Sequence, residues 1–118
     1  MDKRPVPFRV EKPWGYELIW AHTDRYVGKI LHVNAGHALS CQYHNVKDET
    51  LHVLKGEVLL RLGEGKDRKE IRFRTGESVH IPPLQVHEIE AVTDTDVLEA
   101  STPELDDVVR LTDRYGRV

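Results

Sequence analysis

Short stretches in which apolar and polar residues alternate run through almost the whole chain, and turn residues separate them every eight to twelve positions. A two-residue period is typical of a strand with one buried face, whereas an amphipathic helix repeats about every 3.6 residues. No window of eleven or more residues carries a helical stripe. Many short strands at even spacing predict an all-β sandwich or barrel. The predicted strands are Tyr16–Trp20, Tyr26–Val33, Leu39–His44, Glu49–Leu54, Glu57–Leu62, Glu70–Arg74, Ser78–Ile81, His87–Val92, Asp96–Ser101 and Asp107–Leu111.

Glycine and proline interrupt this pattern at defined points. Three dipeptides each stand between two predicted strands: Lys55-Gly56, Thr75-Gly76 and Pro82-Pro83. Glycine readily adopts positive φ and proline fixes φ at about −65°, so a strand ladder ends at such residues. A length of 118 residues predicts a single domain over residues 1–118. Residues 1–15 are predicted to form an N-terminal arm, because Pro5-Val6-Pro7 favours an extended lead-in.

Composition and charge argue against several classes of partner. The formal net charge is −3 and no block of Lys and Arg stands apart from the acids, which is not the pattern of a nucleic-acid binder. No apolar run approaches the roughly 20 residues of a membrane span, and the N-terminus lacks a signal-peptide core. The single cysteine, Cys41, cannot form an internal disulfide and fits a reducing compartment. We therefore expect a cytoplasmic protein that binds neither nucleic acid nor membranes.

Strand parity brings four polar side chains together. Gln42 and His44 lie two apart on one strand and share a face. Glu49 opens the next strand after a polar turn, which returns its carboxylate towards His44. His87 shares a face with Ile89, while the acidic residues between and beyond them occupy the solvent face. The histidine is therefore predicted to point inward among apolar residues.

Two imidazoles, a carboxylate and an amide oxygen suit one borderline divalent metal ion. Zinc is the preferred ion, with manganese, nickel and iron as alternatives. Parity alone leaves a second interpretation open, in which His44 and His87 are hydrogen-bonded core histidines and Glu49 is a charge at a strand end.

Two segments carry a family resemblance. Residues 36–56 resemble the first motif of the cupins. The matching residues, at set distances, are Gly36, Gln42, His44, Glu49 and Gly56. Residues 76–87, with a glycine, a proline and a histidine, resemble the second motif. The resemblance implies a double-stranded β-helix, or jelly-roll, barrel. Three positions depart from the general pattern: Gln42 replaces a histidine, Leu84 a glycine and Ala91 an asparagine.

The glutamine ligand and the chain ends narrow the resemblance. The chain is similar to the C-terminal cupin domain of type II mannose-6-phosphate isomerase/mannose-1-phosphate guanylyltransferases, through Lys12-Pro-Trp14-Gly15, Leu39–His44, Ser78–Pro82 and the closing segment 106–117. In phosphomannose isomerases the metal is held by Gln, His, Glu and His. The resemblance therefore implies Gln42, His44, Glu49 and His87 as ligands. No Gly-rich nucleotidyltransferase opening is present, so we expect only the isomerase half of the activity.

The resemblance implies a metal-dependent aldose–ketose isomerase acting on mannose-6-phosphate and fructose-6-phosphate. Glu99 is the first candidate for the general base, because parity faces it inward and the family carries Glu there. His80 and Glu17 are weaker candidates, and Glu99 also suits a role as a hydrogen-bond partner next to the ligands.

Phosphate requires charged donors. Lys29, Lys47 and Arg110 are the candidates for substrate binding, each with the alternative of an ordinary surface charge. A non-catalytic, metal-dependent sugar- or small-molecule-binding cupin remains the alternative function, and an oxygenase is a weaker third.

We also expect a homodimer, because barrels of this size tend to leave an apolar face for a partner. The candidate contacts are Trp14, Leu18, Trp20 and the N-terminal arm.

Overall fold

Eleven strands make up nearly all of the regular structure. The structure is a computed structural model and describes residues 5–118. Its described residues contain no α-helix and one 3₁₀ turn, Gly65–Asp67, so the prediction of an all-β fold is confirmed. The strands are β1 (Phe8–Lys12), β2 (Gly15–His22), β3 (Val27–Val33), β4 (Cys41–Tyr43), β5 (Glu49–Lys55), β6 (Glu57–Leu62), β7 (Lys69–Arg74), β8 (Ser78–Ile81), β9 (His87–Ala91), β10 (Thr95–Ser101) and β11 (Val109–Thr112). No helix among the described residues has the length and apolar character to cross a membrane.

The strands form two antiparallel sheets that enclose one core. The six-stranded sheet has the order β1-β2-β3-β10-β5-β8 and the five-stranded sheet the order β11-β4-β9-β6-β7. Their inner faces pack apolar side chains against each other, which removes those side chains from water. The core residues are Trp14, Leu31, Val33, Leu51, Val53, Val58, Leu60, Ile81, Ile89, Ala91 and Val97.

The two-residue period decides which polar side chains enter the interior. In β9, His87, Ile89 and Ala91 are buried, while Glu88 and Glu90 face outward. This is the predicted arrangement and is confirmed. The outward carboxylates are paired on the surface by a guanidinium of β6, which lies 3.3 Å from Glu88 and 2.7 Å from Glu90.

Strand β1 is a difference from the sequence prediction. Residues 8–12, within the predicted arm, form a strand that pairs antiparallel with β2 from Phe8↔Ile19 to Lys12↔Gly15. Two prolines precede it and its polar residues alternate with only two apolar ones, so the pattern is too weak to distinguish it from a lead-in. The first four residues of the predicted arm lie outside the described residues.

The two tryptophans have different environments. Trp14 is 2% exposed and belongs to the core, so it is not available for the predicted contact with a partner chain. Trp20 is 48% exposed and lies over Gly28, where a Cβ atom would come within 2.6 Å of the indole ring. The homodimer stays a prediction, and its remaining candidate contacts are Trp20, Leu18 and the N-terminal arm.

The loop before β9 contains an unusual backbone position. Leu84 has φ of +71°, in the left-handed region that favours glycine, and it is the residue that replaces the glycine of the cupin motif. A left-handed conformation costs a residue with a Cβ about 1–2 kcal/mol. The Leu84 amide donates a hydrogen bond to the His44 carbonyl oxygen at 2.7 Å. This hydrogen bond fastens the loop to the end of β4, with Leu84 in a conformation that glycine adopts more readily.

Candidate metal centre

Three buried side chains converge where β4, β5 and β9 meet. His44 directly follows β4, while Glu49 and His87 are the first residues of β5 and β9. One ligand atom from each lies within 4.8 Å of the others. Glu49 Oε1 is 3.4 Å from His44 Nε2 and 3.3 Å from His87 Nε2, and all three side chains are 3% exposed. Three of the four predicted metal ligands thus form one cluster.

Backbone carbonyls fix the orientation of both imidazoles. Nδ1 of His44 lies 2.6 Å from the carbonyl oxygen of Asp107, and Nδ1 of His87 lies 2.8 Å from that of Gln85. A carbonyl only accepts, so each Nδ1 donates its proton to that carbonyl and each ring turns its Nε2 atom towards the cluster, where the lone pair of that nitrogen can bind a metal ion.

His44 Nε2 is a buried polar atom that no described residue satisfies. Among residues 5–118 it has no hydrogen-bond partner, and its 3.4 Å approach to Glu49 lacks hydrogen-bond alignment. An unpaired buried nitrogen is unfavourable unless a ligand takes up its lone pair. Two oriented imidazoles and a carboxylate are a donor set that suits zinc and neighbouring first-row ions. The residues therefore fit a divalent metal ion.

Gln42 lies beside this cluster. Its Cα is paired with that of His87 on β9 and with that of Arg110 on β11, and directly paired residues share a sheet face. The Gln42 Oε1 atom accepts a hydrogen bond from Ser40 Oγ at 2.6 Å. An amide oxygen has two lone pairs, so one remains for an ion. Gln42 as the fourth ligand stays a prediction.

A chain of buried charges runs from the cluster across the barrel. Lys47 Nζ lies 3.1 Å from Glu49 Oε2 and 3.0 Å from Glu99 Oε2. On the far side of Glu99, Lys29 Nζ is 4.0 Å from Glu99 Oε2 and 3.4 Å from Glu17 Oε1. At their ordinary charges, the three carboxylates of this series of contacts exceed its two ammonium groups by one negative charge. A cation at the histidine–glutamate cluster would offset that charge, since buried charge is stable only when it is paired.

The pKa shifts follow from this pairing. Burial raises the pKa of Glu49, but the adjacent His44 and His87 rings and the Lys47 ammonium outweigh burial and hold the pKa well below its usual range. Burial lowers the pKa of Lys47, but attraction by Glu99 and Glu49 outweighs it and raises that pKa above its usual range. Both groups are therefore charged at neutral pH, and the Glu49 carboxylate is available as a ligand.

Asp107 supports the centre and was not identified from the sequence. Its carboxylate accepts backbone hydrogen bonds from Asn45 at 3.0 Å, Val46 at 2.7 Å and Lys47 at 2.9 Å, while its own carbonyl orients His44. These three amide donors lower the pKa of Asp107 to about 2. The residue was assigned to the last strand, which in fact begins at Val109. The polar turn after His44, whose amides need an acceptor, was the signal that could have located it.

The remaining candidate residues are placed as follows. Arg110 neighbours Gln42 on β11, and its Nε is buried without a hydrogen-bond partner in the described part of the chain. Lys29 and Lys47 are buried in ion pairs and are not surface charges. Glu99 is buried, and its Oε2 also accepts a hydrogen bond from Ser101 Oγ at 2.9 Å. The side chain of His80 is 59% exposed and pairs with an aspartate on the outer surface, which excludes it as a base at this centre.

The chain belongs to the cupin domain family, whose sequence model matches residues 29–100. It is 38% identical over 116 residues to the mannose-1-phosphate guanylyltransferase of Escherichia coli (strain K12), so the resemblance seen in the motifs is confirmed. That alignment covers 92% of this chain and 23% of the relative, so the chain spans about a quarter of the length of the curated relatives it matches.

Solved structures show the same fold. The capsular polysaccharide assembling protein CapF from Staphylococcus aureus superposes with a TM-score of 0.74 at 21% identity, over 90% of this chain and 32% of CapF. KdgF from Halomonas sp. superposes with a TM-score of 0.69 at 21% identity, over 90% of this chain and 89% of KdgF. At these identities the likeness establishes the double-stranded β-helix architecture alone.

Proposed function

We propose that the protein is a metal-dependent aldose–ketose isomerase that interconverts mannose-6-phosphate and fructose-6-phosphate. The observation that carries the proposal is the buried His44–Glu49–His87 cluster, which Lys47 connects to the carboxylate of Glu99. The relative that aligns with 92% of this chain is named mannose-1-phosphate guanylyltransferase. The sugar phosphate in that name supports a sugar-phosphate substrate.

The metal would be held by Gln42, His44, Glu49 and His87. When bound, a divalent ion at this centre supplies a Lewis acid that polarises a substrate oxygen. Isomerisation moves a proton between adjacent carbons, C2 and C1 of the sugar, and requires a base near both. Glu99 takes the proton from one carbon and returns it to the other, and the Lys47 ammonium orients that carboxylate from 3.0 Å. Arg110, with a buried Nε that has no partner among the described residues, supplies a cationic donor for the anionic end of the substrate.

The test is a coupled assay of the full chain with a panel of hexose phosphates. We expect turnover of mannose-6-phosphate that stops on chelation and returns when zinc or manganese is added back. The matched control is His52→Ala, because His52 pairs with Ser78 on the outer surface and should not affect turnover. Absence of turnover on every hexose phosphate at full metal occupancy would contradict the isomerase.

A non-catalytic, metal-dependent sugar-binding protein is the second candidate. One observation favours it. Glu99 Oε2 already contacts Lys47 Nζ at 3.0 Å and accepts a hydrogen bond from Ser101 Oγ at 2.9 Å, so this oxygen is less available to take a proton from a substrate. Calorimetry separates the two candidates, because this alternative predicts metal-dependent binding of a sugar phosphate without conversion.

A further inference from the structure

The two carboxylate oxygens of Glu99 have unequal environments. Oε2 accepts a hydrogen bond from Ser101 Oγ at 2.9 Å and lies 3.0 Å from Lys47 Nζ and 4.0 Å from Lys29 Nζ. Oε1 has neither a hydrogen bond nor an ion pair to any residue between 5 and 118. All the polar contacts of this carboxylate are therefore made by one oxygen, and the lone pairs of the other oxygen stay free.

Oε1 lacks a partner without being sealed inside the protein. The buried side-chain atoms that have no partner in the described part of the chain belong to other residues, so Oε1 borders space that solvent or a ligand can enter. Glu99 as a whole is only 3% exposed, so that opening is narrow. An oxygen that is both unpaired and accessible is the one that can take a proton from a substrate carbon.

Ser101 is held in place by three strands. It lies two residues after Glu99 on β10, so both side chains point into the barrel. Its Cα is paired with that of Glu49 on β5 and with that of Val27 on β3. The hydroxyl has a single proton, and it donates that proton to Glu99 Oε2. The donor therefore comes from the rigid middle of the sheet.

The Ser101 hydrogen bond complements the Lys47 ion pair. An ammonium is a compact charge on a flexible stem, and a rotation of the carboxylate would offer it Oε1 in place of Oε2. The directional hydrogen bond from Ser101 opposes that rotation, because it would be lost when Oε2 moves away. Together the two donors fix which oxygen is anchored and which one remains free.

We propose that Ser101 is a positioning residue of the isomerase, which anchors Glu99 Oε2 so that Oε1 takes the proton from the substrate. The inference rests on the proposed function. In the open-chain aldose the C2–H bond breaks, its hydrogen passes to Oε1 as a proton, and its electron pair forms the C1–C2 double bond as the carbonyl electrons move to O1. Oε1 then gives its proton to C1 while the O2 proton passes to O1, which leaves the ketose and the original carboxylate.

The experiment compares Ser101→Ala with Thr95→Val in the coupled assay of the full chain with mannose-6-phosphate. Thr95 is the matched control, because it is 1% exposed and its hydroxyl bonds a backbone carbonyl at the opposite end of β10. We expect Ser101→Ala to lower kcat about 10- to 100-fold with unchanged KM and metal content, since a base that is out of alignment loses most of its effect. Thr95→Val should leave kcat unchanged, although it also removes a buried hydroxyl. Thermal unfolding checks that both variants are folded.

Mannose-6-phosphate deuterated at C2 separates positioning from a structural effect. If Ser101→Ala slows the proton transfer itself, the isotope effect on kcat is at least as large as in the unaltered chain. An isotope effect that falls towards one would assign the loss to another step and overturn the proposal. A kcat within about twofold of the unaltered chain, an equal loss in Thr95→Val, or loss of metal in Ser101→Ala would also overturn it. Absence of turnover in the unaltered chain would remove the isomerase and this role together, whereas full activity of Ser101→Ala would remove this role alone.

Discussion

Lys47 and Glu99 form a buried ion pair in which Nζ lies 3.0 Å from Oε2 and the two side chains are 6% and 4% exposed. The same ammonium reaches Glu49 Oε2 at 3.1 Å. One lysine thus joins a proposed metal ligand to the proposed base, so its charge affects both stability and chemistry.

Removing that charge should destabilise the fold. We expect Lys47→Met to lower the free energy of unfolding by about 3–5 kcal/mol, because it leaves buried carboxylates unpaired. Denaturant unfolding of Lys47→Met, Glu99→Gln and the double variant measures the effect and the coupling. The double variant should lose about 0.5–3 kcal/mol less than the sum of the single losses. Additive losses would show that the two groups do not interact.

The histidine–glutamate cluster should bind about one divalent ion per chain. Elemental analysis after incubation with zinc, manganese or nickel measures the stoichiometry. His44→Ala and His87→Ala should each abolish it, because each removes an oriented lone pair. Gln42→Ala should weaken binding to a smaller extent, since an amide is a weaker ligand than an imidazole. Unchanged metal content in the double histidine variant would disprove the site.

The proposed base and the proposed anion donor should differ in their kinetics. Glu99→Gln should lower kcat by about 100-fold or more with unchanged metal content, because it removes a proton acceptor and no ligand. Arg110→Gln should mainly raise KM, since an anion is bound in ground state and transition state alike. Loss of metal in Glu99→Gln would instead assign that residue to support of the ligands and leave the base unidentified.

Asp107 should make stability depend on pH in the acid range. Its pKa is about 2 in the folded protein against an ordinary value of 3.8. Above about pH 5 the carboxylate is charged in both the folded and the unfolded chain, and its full contribution is present. As the pH falls from about 5 to about 2 the unfolded chain takes up the proton first, so that contribution is lost.

Asp107→Asn should flatten this part of the pH–stability curve, measured by thermal unfolding between pH 2 and pH 6. Asp113 also has a pKa of about 2, held down chiefly by Arg117, so some acid dependence remains in the variant. Asp107→Ala should destabilise the fold by about 1 kcal/mol at neutral pH, the usual effect of losing a side-chain cap. A curve identical to that of the unaltered chain would show that the turn does not need the carboxylate.

Most strands and the inward side chains could be predicted from the sequence, because strand parity is a local property. Glu49, His87 and Glu99 are buried where the two-residue period places them. Strand β1 could not be predicted, because a short edge strand is stabilised by its pairing with β2 and not by its own composition.

The sequence by itself determined the all-β class and the inward-facing residues, since each depends on residue type and on spacing along one strand, and the motif resemblance pointed to His44, Glu49 and His87 as one group. Only the tertiary structure decided how those residues are connected. Asp107 lies 63 positions from His44, yet its carbonyl orients that ring. Lys47 was expected to bind phosphate and is instead held between two carboxylates. Such relations depend on which strands become neighbours, and that is decided when the two sheets close around a common core.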